Sequence, residues 1–471
     1  MNLGSSKNFK TESSLARRSA IAPALVLAGV ALLIPSGCRS SRETKDTERK
    51  TMTSTSGTTS AANDPLAIHK RAIVVDMHAD TTQRLVDEKV DLAQRLSDGH
   101  LDSVRAKEGG LDAQFFSIWV EPELFGGGGE RAMKRADLQI EAVRNLAARH
   151  PETWELATTA ADVRRIAASG KIAALMGMEG GYAIDEKIEN VERYYQMGVR
   201  YLSGAWSVST SWAGSSGDEA GKTRGLNDFG KQVIREMNRL GMMVDVSHLS
   251  DKAFWDIVNT STKPVIATHS GCRAITNMPR NLTDEMIVAL AKTGGVVNVI
   301  FYPEHIEPGY AAKKKLVDAE IASMVQRASD EEKGDVAHKK LARDRVRSRE
   351  FLQRLPPVSV TRIVDHIDHI VKLVGIDHVG IGTDKAGPGP GTESLVEYPP
   401  TLPRHDPRKF TWAGFRLEEH RLTPDYHLTG YENFGDWPNL TLKLAERGFN
   451  EVKLRKLLGL NFLRVFREVV G

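Results

Sequence analysis

Eight short apolar runs recur along the chain: AIVVDMHAD (72–80), AQFFSIWV (113–120), IAALMGMEGG (172–181), VRYLSGAWS (199–207), MMVDVSHLS (242–250), PVIATHS (264–270), GVVNVIFYP (295–303) and HVGIGTD (378–384). Most are continuously apolar rather than alternating, which is the pattern of strands buried on both faces. Stretches with the apolar spacing of amphipathic helices, such as NDFGKQVIREMNRLG and DEMIVALAKTGG, lie between several of them. Parallel strands alternating with helices predict an α/β fold, and eight of them a (β/α)8 TIM barrel; an open doubly wound sheet is the alternative that this count leaves.

Two long surface insertions interrupt the alternation. Residues 308–352 carry KKKLVDAEIASMVQRASDEEKGDVAHKKLARDRVRSREF, which reads as charged surface helices with a solvated face. Residues 386–429 are rich in Pro, Gly, His and Arg and read as a long loop over one end of the barrel, a candidate lid.

The amino-terminal end is of another kind. A basic region is followed by AIAPALVLAGVALLI and PSGC, an export signal too short to span a bilayer stably. Ser36 and Gly37 before Cys38 resemble a bacterial lipobox, although Pro35 stands where that motif has an aliphatic residue; lipidated Cys38 would anchor the mature chain to a membrane, with plain signal cleavage as the alternative. Arg17 and Arg18 hint at twin-arginine export, but their flanks match that motif poorly. From Arg39 to Asp64 almost nothing is apolar, so this segment cannot bury enough surface to order itself and reads as a tether. The organisation is therefore a signal at 1–38, a tether at 39–64 and a barrel at 65–471, in a protein exported to the bacterial cell envelope, the periplasm.

Composition adds little except exclusions. Hydrophobic residues at 41% and charged residues at 27% are ordinary for a soluble globular chain. Residues 1–37 hold four basic residues against one acidic, the whole of the formal net charge of +3, so the remainder is formally neutral. A neutral chain gives no reason to expect nucleic acid or an acidic polymer as partner. Cys38 and Cys272 are the only cysteines, so lipidation of Cys38 leaves no internal disulfide.

The chemistry lies at the ends of the runs. The first ends with His78 and Asp80, which share a face if the segment is extended; the third with Glu179, the fifth with His248, the sixth with His269 and the eighth with Asp384. Each alone has a bland explanation: Glu179 before two glycines as a turn marker, His248 or Asp384 as a helix cap. In a barrel, however, the carboxyl ends of all strands meet at one face, which would bring all six side chains onto one ring. Histidine nitrogens beside carboxylates suit Zn²⁺ best, with Mn²⁺ or Co²⁺ as substitutes. Five ligands exceed the need of one ion with an open position, so two ions sharing Glu179 is the economical arrangement, leaving Asp384 as acid and base. His366, His369 and His378 look like a helix leading into the last strand and read as surface or packing residues.

At this point the chain resembles the membrane dipeptidase (renal dipeptidase) family of zinc peptidases, among the amidohydrolase-like barrels. The likeness runs from about residue 68 to 470 and is carried by VVDMHADT, GGLDAQFFSIWV, MGMEGG, VRYLSGAWS, VDVSHLS, PVIATHSGCRAITNMPRNLTDEMI, DHIDHIVKLVGIDHVGIGTD and LGLNFLRVF. The resemblance implies that His78 and Asp80 bind one zinc, that His248 and His269 bind the other, and that Glu179 bridges them. It further implies a bridging hydroxide as nucleophile, Asp384 as the group that takes its proton to the leaving amine, and Arg280, beside Asn281, as the residue that holds the substrate carboxylate. Dipeptides as substrates and a homodimer follow from the same resemblance.

Two departures bear on substrate. Trp206 stands where the resemblance places a histidine contacting the scissile carbonyl, and Ala386 replaces a second carboxylate after Asp384. The loop at 386–429 would have to supply a replacement, such as His405, or the site would work with one donor fewer, a loss of about 10² to 10³ in rate. The expectation is an exported dinuclear zinc dipeptidase; the alternatives are a metal-dependent amidase or lactonase, and a non-catalytic binding lipoprotein on a peptidase barrel.

Overall fold

The computed structural model describes residues 64–96, 99–334, 336–385 and 428–471. The export signal with Cys38, nearly all of the tether, and the loop segment 386–427 with Ala386 and His405 lie outside the described residues. Among the described residues, no helix is long and apolar enough to cross a membrane.

Every apolar run forms a strand. In chain order the strands are β1 (Val75–Ala79), β2 (Ala113–Trp119), β3 (Trp154–Leu156), β4 (Ile172–Glu179), β5 (Val199–Ser203), β6 (Met243–Asp245), β7 (Val265–Ser270), β8 (Val297–Val299), β9 (Val358–Ser359), β10 (Val379–Ile381) and β11 (Leu428–Thr429). Eight of them lie in the parallel order β1-β2-β4-β5-β6-β7-β8-β10. The seam between β10 and β1 has no strand ladder. Asp76 joins it instead, accepting the Thr383 N–H at 2.7 Å and the Thr383 hydroxyl at 2.9 Å, while Asp384 N–H reaches the His78 carbonyl at 3.0 Å. The barrel is thus nearly closed, and the TIM-barrel expectation holds over the open sheet.

β2 and β4 are buried at every position, as continuous apolar runs require. Val75, Met77, Phe115, Leu175, Tyr201, Met243 and Ile266 gather in one cluster with Phe462 and Phe466 of the carboxyl-terminal helix Asn461–Val469. Val74, Phe116, Ile118, Met176, Leu202 and Val244 join a larger cluster with the surrounding helices. The period-two alternation divides the two sets. Helices after β5, β6 and β7 start on capping side chains, Asn227, Ser250 and Thr283, each accepting a backbone N–H of the first turn. Each such cap contributes about 1 kcal/mol.

The short pairs β3 with β4 and β9 with β11 go unpredicted by the sequence pattern, because two or three residues carry no period. The insertion forms two helices, Tyr310–Glu331 and Val336–Arg354, that pack on each other. They bury Val317, Ile321, Val325 and Phe351, so one apolar edge is covered where the charge pattern predicts a solvated surface.

Candidate metal centre

The six side chains that end the strands do meet. His78, Asp80 and Glu179 form one group, Glu179, His248 and His269 a second, and His78, His269 and Asp384 a third, with ligand atoms within 4.8 Å of one another in each. Glu179 stands between the first two: its Oε2 lies 3.3 Å from His78 Nε2, and its Oε1 lies 2.7 Å from His248 Nε2 and 3.4 Å from His269 Nε2. Asp80 Oδ1 and Asp384 Oδ1 approach His78 Nε2 at 3.6 and 3.8 Å. The Asp384 side chain is 20% exposed against 0% for His78 and 2% for Glu179, so it is the member best placed to exchange protons with solvent.

The ring orientations follow from their outer partners. His78 Nδ1 lies 2.8 Å from the Tyr201 hydroxyl, which also points at the Met77 carbonyl at 3.4 Å; donating there, it accepts from Nδ1. His269 Nδ1 lies 2.8 Å from Thr268 Oγ1, whose hydrogen goes to Asp245 Oδ2 at 2.7 Å. Both rings therefore carry a proton on Nδ1 and aim Nε2 inward, the arrangement of metal-binding histidines. His248 Nε2 and His269 Nε2 face each other at 3.0 Å, a contact that needs a proton or a cation between them. Among the described residues, His78 Nε2 and Asp80 Oδ1 are buried without a hydrogen-bond partner. Buried polar atoms are almost always satisfied, so this donor set fits a divalent ion well.

Local backbone irregularities aim these groups. The β1–β2 register shifts between Asp76 and Ala79, across His78, and the β7–β8 register shifts between Ala267 and Ser270, across His269. Such bulges re-aim side chains beside active sites. His248 lies three residues beyond β6, with φ of 70°, and Asp384 has φ of 54°, a left-handed region that strains any residue with a Cβ. Ser216 N–H at 2.8 Å and the Ser215 and Ser216 hydroxyls at 3.2 and 3.0 Å hold the His248 carbonyl in place.

Electrostatics in the protein alone pull the members apart. Burial, then the Arg280 charge, lowers His248 to about 4, and burial followed by His78 and Arg280 lowers His269 well below its ordinary value. Burial opposes charge on Glu179, but His78 and His248 outweigh it and hold the carboxyl well below its usual range. Burial raises Asp384 well above the ordinary carboxyl value, with Asp80 and Glu179 adding to it against His78. Burial opposes charge on His78, but Tyr201, Glu179 and Asp80 outweigh it and raise the imidazole well above its ordinary value. A low-pKa carboxylate beside the neutral His248 and His269 is a ready ligand, and a carboxyl that retains its proton is a ready acid.

Arg280 extends from the loop after β7, donating to Ser270 Oγ at 2.9 Å. Its Nε and Nη2 are buried with no partner among the described residues. Asn281 does not offer its amide to a ligand as expected. It is 1% exposed, accepts Gly271 N–H at 3.0 Å, and donates to the Thr276 and His305 carbonyls at 2.9 and 2.7 Å, so it shapes the loop that carries Arg280. Trp206 is half-buried, edge-on to Trp119 at 4.8 Å between ring centroids and 6.3 Å from the His248 ring. The three histidines of the helix leading into β10 and of its start are structural: His366 bridges Cys272 N–H and the Ile306 carbonyl, His369 pairs with Asp284, and His378 meets the Gly295 carbonyl.

Tyr201, Thr268, Asp245 and Asp76 escape a reading of strand ends, since they act through other residues. A signal exists for two of them: Asp76 and Asp245 are carboxylates inside apolar runs, two and three residues before a candidate ligand histidine. Ser117, donating to Glu179 Oε2 at 3.2 Å, has no signal at all.

Comparison with known proteins bears on this geometry. Dipeptidase tcpJ of Claviceps purpurea (strain 20.1) is 27% identical over 389 residues, covering 82% of this chain and 72% of that protein. The probable dipeptidase PvdM from Pseudomonas aeruginosa superposes with a TM-score of 0.67 at 24% identity, covering 86% of this chain and 97% of its own. A metallo peptidase from Rhodobacter sphaeroides, liganded with a phosphinate mimic of the dipeptide L-Ala-D-Ala, superposes with a TM-score of 0.61 at 22% identity, covering 84% of this chain and 99% of its own. The two solved structures share the fold. The sequence profile of the membrane dipeptidase family matches residues 63–400 and 423–470, a span that contains all six clustered side chains, and the chain therefore belongs to that family, peptidase family M19, of metallopeptidase hydrolases.

Proposed function

We propose that this chain is an exported, dinuclear zinc dipeptidase. The observation that carries the reading is the convergence of His78, Asp80, Glu179, His248 and His269, with buried ligand atoms left without protein partners. His78 and Asp80 would hold one ion, His248 and His269 the other, and Glu179 both, with Mn²⁺ or Co²⁺ as substitutes for Zn²⁺. When bound, such a pair supplies a water of lowered pKa and a Lewis acid for the scissile carbonyl. Tyr201 and Thr268 keep the two imidazoles in the ligating tautomer.

Arg280 binds the carboxylate of the substrate through its unpartnered Nε and Nη2, and thereby measures one residue beyond the scissile bond. Asp384 holds the proton at its carboxyl and passes it to the leaving amine. The solved Rhodobacter sphaeroides protein, with its dipeptide mimic, makes L-Ala-D-Ala a fitting first substrate. Export, a lipid anchor on Cys38 and a homodimer complete the reading.

One observation favours a second reading, a metal-dependent amidase or lactonase. Trp206 presents an indole beside His248 where the resemblance implies an imidazole; its backbone N–H lies 3.1 Å from the Tyr182 hydroxyl, and its ring rests on Trp119. An indole has no acceptor and carries no charge, so that flank of the site offers an apolar wall.

The test is metal content and hydrolysis by residues 39–471, with and without chelator, on L-Ala-L-Ala, L-Ala-D-Ala and an N-acylated control. About two zinc ions per chain and chelator-sensitive cleavage of the free dipeptides alone are expected. Two ions without cleavage would move the assignment to the amidase or lactonase, and no bound metal would leave a binding module.

A further inference from the structure

Two indoles flank the candidate metal centre. Trp119 ends β2 in register with Glu179 at the end of β4. Ser117 donates to Glu179 Oε2 at 3.2 Å, and side chains two apart on a strand share a face, so Trp119 turns toward the same side as Glu179. Trp206 lies in the loop after β5, where its backbone nitrogen is 3.3 Å from the position a Cβ on Gly180, the neighbour of Glu179, would take. Its ring stands between two others, edge-on to Trp119 at 4.8 Å between centroids and 6.3 Å from the His248 ring. Trp119 is 1% exposed whereas Trp206 is half-buried, so Trp206 presents the accessible surface of the pair.

Both residues are fixed by the protein itself. Trp206 N–H donates to the Tyr182 hydroxyl at 3.1 Å, and its carbonyl accepts the Ser215 hydroxyl. Trp119 N–H donates to Gln139 Oε1 at 3.0 Å, and its carbonyl accepts from Gln83 Nε2 at 3.0 Å and Gln139 Nε2 at 2.6 Å. A rigid aromatic surface of this kind binds a ligand at little cost in ordering.

Strand order decides which part of a dipeptide reaches it. Between β2 and β7 lie β4, β5 and β6 on one arc of the nearly closed barrel and β8, β10 and β1 on the other, so the two strands stand opposite each other. Arg280 follows β7 and donates to Ser270 Oγ, at the end of that strand, at 2.9 Å. A dipeptide whose carboxylate sits on Arg280 crosses the candidate ligands and carries its amino-terminal residue toward the β2 side, where Trp206 rests on Trp119. An indole has no acceptor and no charge, so what it rewards there is apolar area on the substrate.

We propose that Trp206, backed by Trp119, is a specificity-determining residue that packs on the side chain of the amino-terminal residue, so that the enzyme prefers dipeptides beginning with a large apolar or aromatic residue. The inference rests on the dipeptidase reading above.

The experiment measures zinc content and kcat/KM of metal-loaded residues 39–471 for L-Phe-L-Ala, L-Leu-L-Ala, L-Ala-L-Ala and L-Ala-L-Phe, in the wild type, Trp206→Ala and Trp206→Phe. The wild type should favour L-Phe-L-Ala over L-Ala-L-Ala about tenfold, and over L-Ala-L-Phe as well. Trp206→Ala should lower the ratio of L-Phe-L-Ala to L-Ala-L-Ala about tenfold at unchanged zinc content, and Trp206→Phe should keep most of it. Should Trp206→Ala not fold, Trp206→Gln carries the same comparison. An unchanged ratio in a folded variant, a loss equal for all four substrates, or a shift confined to L-Ala-L-Phe would overturn the proposal while leaving the dipeptidase intact. So would a wild type indifferent to the amino-terminal side chain, which would turn the indole toward the α-ammonium that all four share. Cleavage of none of the four by the wild type would instead bring down the dipeptidase reading itself.

Discussion

Tyr201→Phe tests whether the metal centre is organised from behind. The substitution removes one oxygen and little else: a Cβ on Gly177 would come within 1.9 Å of Tyr201 Cζ, so the ring fills the space above that glycine and a phenyl ring stays where it is. What changes is His78, whose Nδ1 loses its partner at 2.8 Å while the residue remains 0% exposed. Leaving a buried donor unsatisfied costs about 1–3 kcal/mol, and that cost falls on the ligating tautomer, because the other tautomer can move its proton to Nε2. Loss of such an outer partner lowers metal affinity about 10–100-fold, or about 1.4–2.8 kcal/mol at 1.4 kcal/mol per tenfold. The assay is competition for zinc between the protein and a chromophoric chelator, with thermal unfolding of the metal-free and metal-loaded forms alongside. The variant should hold zinc more weakly and gain less thermal stability from it than the wild type. Zinc affinity within about twofold of wild type, in a folded variant, would refute the claim that Tyr201 sets the His78 tautomer.

Three further outcomes follow from the geometry. Asp384→Asn should retain the metal content and lose about 10²–10⁴ in turnover, as removal of a proton carrier does; loss of metal would instead make Asp384 a ligand. Gly177→Ala should lower the melting temperature and the zinc affinity together, since its methyl group would displace the Tyr201 ring that supports His78; overpacking of this kind costs about 1–3 kcal/mol, and unchanged unfolding would contradict the close approach. Asp112, at the amino-terminal end of β2, has its pKa raised by burial from 3.8 to about 6 although Val74 N–H bonds to it at 2.8 Å. The native state thus binds its proton more tightly than the unfolded chain, so its contribution is greatest below about pH 4 and is lost as pH rises to about 6, by about 2–3 kcal/mol. Asp112→Asn keeps the acceptor for Val74 and should be more stable than wild type at pH 7.5 but not at pH 4 in urea unfolding; an equal difference at both would exclude Asp112 as the titrating group.

The sequence by itself determined the eight strands and the ring of candidate ligands. Continuous apolar runs can be buried only between two layers, and a parallel barrel gathers their carboxyl ends, so His78, Asp80, Glu179, His248, His269 and Asp384 were legible from their places in those runs. Local pattern could not show what depends on contacts between distant segments. The Tyr201 hydroxyl against His78 joins residues 123 apart in the chain, and Asp76 closes the barrel on Thr383 across 307. Asn281 sits beside Arg280 in sequence and was expected to share its role, but folding turned its amide toward three backbone groups and left the guanidinium nitrogens unmet. The order of apolar and polar residues fixes which face of each element is buried; whether a polar atom on that face finds a partner is settled only by packing in three dimensions, and the proposed metal and substrate sites rest on the unmet His78, Asp80 and Arg280 atoms.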